Sequence, residues 1–138
     1  MKQMLRMFAV LVVLVLTSPF GQAQTLTGAQ AQKSPPADAF LAYEKALLAG
    51  GLDGARPYMT PAKFDELEGM RASFGEDGFR QFLDRMRGGA QGAARRKQIE
   101  KVELQGEHAM LEARDGPNVL TVQFLARTSD GWKVDIRR

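Results

Sequence analysis

Apolar residues recur along this chain at two different spacings, and the change falls at the run Gly88-Gly89-Ala90-Gln91-Gly92. Before it the intervals are three and four, the period of an amphipathic helix. Ser34-Pro35-Pro36 supplies a capping hydroxyl and prolines for a first turn that lacks amide acceptors in any case. Phe40, Tyr43 and Leu47 then form one stripe, with Leu41, Ala46 and Leu48 beside it, and Gly50-Gly51 ends it. Residues 52–59, interrupted by Pro57, have room for one or two turns. Thr60-Pro61 repeats the cap-plus-proline start. Phe64, Leu67, Met70 and Phe74 follow on one face, Gly75 breaks the run, and Phe79, Phe82, Leu83 and Met86 make a further short helix.

After the glycine run the period becomes two, that of a half-buried strand. Residues 99–104 alternate poorly at first, then as Val102 and Leu104. In 108–114, Ala109, Leu111 and Ala113 oppose His108, Met110, Glu112 and Arg114. Asp115-Gly116-Pro117-Asn118 is a turn. In 119–128 the apolar set Leu120, Val122, Phe124 and Ala126 is expected inward, with Val119, Thr121, Gln123 and Leu125 on the other face. Ser129-Asp130-Gly131 reads as a hairpin turn. Beyond it Trp132, Val134 and Ile136 face in, and Lys133, Asp135 and Arg137 face out. Helices first and closely spaced strands afterwards predict an α+β domain, with N-terminal helices on one face of an antiparallel sheet of about four strands.

The first residues follow neither pattern. Lys2 and Arg6 precede ten uncharged apolar residues, 7–16; Thr17-Ser18-Pro19-Phe20 breaks that run, and Gly21-Gln22-Ala23 places small residues where a signal peptidase reads. This is the three-part export signal. A spanning helix needs about 20 apolar residues, twice this run. The expectation is therefore a signal peptide over 1–23, a flexible polar tether over 24–34, and a single domain over 35–138 in the periplasm or outside a bacterial cell. The chain has no cysteine, which excludes disulfides, thiolate metal sites and a lipid-modified N-terminal cysteine.

Charge adds little. The net charge is +3, with 19 basic and 16 acidic side chains, but removing the first 23 residues takes away two bases and no acid. The basic run Arg85, Arg87, Arg95, Arg96 and Lys97 lies around the glycine link, countered there by Glu100; it reads as a solvated face able to make a weak contact with an anionic surface. It lacks the interleaved aromatics of a single-strand platform, so no nucleic acid partner is expected. The glycine run has no strand before it and no Lys-Ser or Lys-Thr after it, so it is not a phosphate loop. With one histidine and no acidic spacing of calcium type, neither a metal nor a cofactor is expected.

Residues 40–59, Phe-Leu-Ala-Tyr-Glu-Lys-Ala-Leu-Leu-Ala-Gly-Gly-Leu-Asp-Gly-Ala-Arg-Pro-Tyr-Met, resemble the opening helix, gap and short helix of small secreted domains in the nuclear transport factor 2-like, cystatin-like superfamily. The ending Asp130-Gly131-Trp132-Lys133-Val134-Asp135 is similar to that superfamily's final hairpin. The resemblance, over roughly residues 36–138, implies a curved sheet wrapped around a helix, a cone with an apolar pocket. Some relatives use such a cone as an isomerase or dehydratase site; many only bind a ligand or a protein.

An enzyme of that kind needs an acid or base inside the cone. The strand phases place His108 and Asp135 outside it, and the expected inward sets hold no acid, histidine or lysine. Tyr43 is the one proton-sharing residue on the helix stripes, and an ordinary phenol is a poor base at neutral pH. The expectation is thus an apolar cone without proton-transfer chemistry and with no catalytic residue. Its pocket candidates are Tyr43, Tyr58, Phe64, Phe79, Phe124 and Trp132, and the expected partner is an apolar small molecule or an envelope protein. The alternatives are an isomerase or dehydratase, and an interaction module with a filled cone.

Overall fold

The computed structural model describes residues 23–89 and 92–138. The expected signal peptide lies outside the described residues except for Ala23. Along the chain come β1 (Gln24–Thr27), α1 (Gly28–Gln32), α2 (Pro35–Ala55), a 3-10 turn (Arg56–Tyr58), α3 (Pro61–Gly89), α4 (Gly92–Lys97), β2 (Ile99–Gln105), β3 (His108–Arg114), β4 (Leu120–Thr128) and β5 (Gly131–Asp135). The helices pack on one face of an open five-stranded antiparallel sheet of order β1-β2-β3-β4-β5. None of the described helices is long and apolar enough to cross a membrane.

Both expected helix starts are built as the sequence implies. Ser34 Oγ accepts the Ala37 N–H at 3.3 Å and donates to the Ala31 carbonyl at 2.8 Å. Thr60 Oγ1 accepts the Lys63 N–H at 3.2 Å and donates to Asp135 Oδ1 at 2.7 Å, so one hydroxyl caps α3 and ties it to β5. Both expected breaks occur too: Gly51 (φ 66°) and Gly75 (φ 73°) interrupt α2 and α3 with backbone angles that other residues resist. The bend at Gly75 leaves Phe74, expected on the apolar stripe, 67% exposed. A β-carbon on Gly78 would sit 2.8 Å from Phe74 Cβ, so glycine is also needed one turn further on.

Residues 24–34 are not a tether. Gln24–Thr27 pairs with β2, Leu26 opposite Val102, and α1 buries Ala31 completely. A four-residue polar edge strand that sends one large apolar side chain inward is too short to register as a periodicity. The uneven alternation at the start of β2 is a β-bulge: the register shifts between Ile99 and Lys101, so Ile99 and Val102, three apart, are both fully buried.

The phase of β4 is the reverse of the one expected. Leu125 pairs opposite Ala109, Gln123 opposite Leu111 and Thr121 opposite Ala113, so these β4 residues face the helices. Leu125 is 1% exposed. The set Leu120, Val122, Phe124 and Ala126 shares the outer face with Arg114, Glu112, Met110 and His108, and Leu120 and Val122 remain exposed. In β5 the expectation holds for two of its three inward residues: Val134 is fully buried and Trp132 packs half-buried against the core, whereas Ile136 lies beyond the strand and lines a hollow with Phe124 and Asp135 of the outer face. Phe40 and Leu47 of α2, Leu67 of α3 and Leu111, Leu125 and Val134 of the sheet are the centre of that core. Burial of each such side chain contributes about 1.5–3 kcal/mol.

Candidate functional site

The reversed phase of β4 creates a pocket. Thr121 and Gln123 point toward the helices where large apolar side chains were expected, and a pocket of about 570 Å³ opens there. Its apolar wall is Phe40 of α2 with Phe82 and Met86 of α3; its polar wall is Thr121, Gln123 and Arg85.

The third wall is a buried ionic network. α4 has six residues, too few to be stable as an isolated helix, and Arg95 anchors it. Arg95 Nε and Nη2 each reach one oxygen of Glu44 at 3.1 Å. Nη1 donates to Gln98 Oε1 at 3.2 Å and to Asp115 Oδ1, and the Thr121 hydroxyl donates to the other Asp115 oxygen. The guanidinium lies 5.4 Å from the centroid of the Phe40 ring. Both Arg95 and Glu44 are about 95% hidden from solvent, whereas Asp115 is a quarter exposed. Burial pushes the Glu44 carboxyl above its ordinary range, outweighing the hydrogen bonds and charge of Arg95, and the nearby Asp115 charge pushes the same way.

Two expectations change here. The pocket is not lined by apolar side chains alone, since Glu44, Asp115 and Arg95 face it. Arg95 is also withdrawn from the basic surface run by burial against two carboxylates. Of the rest of that run, Arg87 bonds Asp84 and the Leu48 carbonyl, and Arg96 bonds Asp38 and the Gln32 carbonyl.

None of the six aromatic candidates lines this pocket. Tyr43 is buried in the core, where burial pushes its phenol up and the charges of Glu66 and Glu44 add to the rise. Tyr58 is exposed. Phe64 carries the Arg56 guanidinium 4.4 Å above its ring centre. Phe79 is buried, its ring centre 5.8 Å from that of Phe82. Trp132 packs against the core. Phe124 instead lines a shallow hollow of about 340 Å³ on the outer sheet face, with His108, Met110 and Asp135. His108 is exposed on that face, as its strand phase implied.

Asp135 follows the expected phase but is 2% exposed. Burial pushes its carboxyl up, and hydrogen bonds from Thr60, the Ile136 N–H and Arg138 outweigh that and hold it below its ordinary value. Among the described residues no group of three or more histidines and carboxylates is arranged to hold a metal ion.

Glu44 had a legible signal: it stands four residues after Phe40 and three before Leu47, on the apolar stripe itself. Arg95 had none, because its partners lie 51 and 20 residues away in the chain. No family model, curated protein or solved structure matches the chain.

Proposed function

We propose that this is an exported, non-enzymatic binding domain. Its pocket between α2, α3 and β4 takes a small molecule with an apolar body and a hydrogen-bonding end. The observation that carries the reading is the open pocket itself, with Phe40, Phe82 and Met86 facing Thr121 and Gln123 across it. Its volume suits a small ligand, for which sites of about 300–1,000 Å³ are usual. The charged lining groups, Glu44, Asp115, Arg85 and Arg95, cancel, so the pocket selects for polarity at one end of the ligand and not for net charge. The resemblance of residues 40–59 and 130–135 to nuclear transport factor 2-like domains supports a curved, cone-like sheet with its pocket in this place. The charge-then-apolar pattern of the first 23 residues supports export.

One observation favours an enzyme of the isomerase or dehydratase kind: a carboxyl raised by burial lines the pocket. Both Glu44 oxygens are engaged by Arg95, however, and proton transfer would require that pair to open. Binding is therefore the reading adopted. Native mass spectrometry of the protein purified from its own cell envelope tests it. A small molecule should accompany the wild-type protein and be missing from Gln123→Trp, which fills the pocket from β4. Equal ligand occupancy in a folded Gln123→Trp would move the site elsewhere.

A further inference from the structure

The Glu44–Arg95 pair has a second side. Away from the sheet, between α2 and α4, the same two residues border a trough of about 810 Å³. Leu41 and Leu48 of α2 and Ala93 of α4 make its apolar lining, and Lys45, Arg96 and Lys97 bring three cations to it. The one carboxylate that lines it, Glu44, is already engaged by Arg95. Arg96 shares its charge with Asp38 at 2.7 Å. Among the described residues Lys45 and Lys97 enter no salt bridge, so two cations beside an apolar trough are not ion-paired.

We propose that this trough is a second binding site, for a single-chain amphiphile with an anionic carboxylate head. Lys45 and Lys97 meet the head, and Leu41, Leu48 and Ala93 receive the start of the chain. A free amphiphile fits better than a membrane surface because the apolar groups line a hollow. A domain that inserts into a bilayer has to project its apolar groups outward. The site retains part of the basic run read from the sequence, loses Arg95 from it, and gains Lys45 from another helix.

The test is titration of the full-length mature protein with sodium dodecanoate below its micellar concentration, followed by calorimetry. Dodecyltrimethylammonium and phosphatidylglycerol vesicles serve as comparators. Dodecanoate should bind and the cationic amphiphile should not. The double variant Lys45→Glu/Lys97→Glu, in which only exposed side chains change, should bind dodecanoate at least about tenfold more weakly while keeping the wild-type melting temperature. Gln123→Trp, which blocks the other pocket, should leave the lysine-dependent part of dodecanoate binding unchanged. Three results would overturn the proposal: loss of binding in Gln123→Trp with none in the lysine variant, equal binding of the cationic amphiphile, or binding to vesicles without binding to free dodecanoate.

Discussion

Strands β3 and β4 are neighbours, both alternate, and both carry apolar residues, yet only β3 reveals its inner face from its sequence. In β3 one phase is Ala109, Leu111 and Ala113 and the other includes His108, Glu112 and Arg114, so there is no competition. In β4 the phase with more apolar bulk, Leu120, Val122, Phe124 and Ala126, faces outward, and Thr121 and Gln123 face in with Leu125. Alternation shows that a strand has two faces. Which face is buried is decided by the neighbours: pairing with β3 fixes Leu125 beside Ala109 and every other residue of β4 with it. Polar residues on the inner phase are tolerated because they line a pocket and not the packed core, and Thr121 is hydrogen-bonded to Asp115. An alternating strand whose inward residues are polar at one end and apolar at the other marks the place where a core gives way to a site.

Substitutions can break this contrast at several strengths. The largest effect should come from the network that keeps the inner polar end of β4 in place. Arg95→Ala leaves Glu44 buried without its counter-charge and should cost about 3–5 kcal/mol in urea unfolding. A loss below about 1 kcal/mol would mean that Glu44 escapes to water and the third wall of the pocket is not rigid. Next, Leu125→Ala and Leu111→Ala should each cost about 2–5 kcal/mol, as equals on one face of the sheet. If Leu125→Ala were the cheaper of Leu125→Ala and Val122→Ala, the phase assigned to β4 would be reversed.

Asp135→Asn tests the other edge of the sheet. It removes a charged acceptor for Thr60 and Arg138 and should cost about 1.5–3 kcal/mol, while leaving retention of the proposed pocket ligand unchanged. Retention by Gln123→Trp, the pocket-filling variant, is the internal reference.

The smallest effect is a pH dependence with two opposite signs. The Glu44 carboxyl is raised in the folded protein, so the fold binds its proton more tightly than the unfolded chain does. This contribution makes stability fall as pH rises from the ordinary value of 4.5 through the folded value. Asp135 is lowered, so its contribution is present above 3.8 and is lost as pH falls through its folded value. Relative to Glu44→Gln, the wild-type protein should lose unfolding free energy as pH rises from the ordinary carboxyl value of 4.5 through the raised folded value. A constant difference over that range would show that burial does not perturb Glu44.

The same contrast explains what was legible in the chain. Helix starts at Ser34 and Thr60 and breaks at Gly51 and Gly75 were readable because each depends on residues within one turn. Strands β2 to β5 were readable as strands for the same reason. β1 was not, because its evidence is a partner seventy-six residues away, Val102 opposite Leu26. The site was least legible of all. A basic run such as 95–97 is ordinarily solvated, and only the fold reveals that Arg95 turns in to meet Glu44 and Asp115 while Arg96 and Lys97 remain outside.

The Thr60 hydroxyl has a consequence for the order in which the protein is completed. It caps α3 and binds Asp135, 75 residues later, while the Thr60 N–H bonds the Val134 carbonyl at 2.8 Å and Met59 bridges Val134 in parallel. The segment entering the longest helix is thus the closing rail along the far edge of the sheet. During synthesis that segment emerges long before its partner strand, and its outward polar groups wait in water until the final hairpin arrives. Loss of residues 131–138 would therefore strip the edge of β4 and undo the anchorage of α3 in one event, making the start of α3 and the β4–β5 hairpin a single cooperative unit of opening.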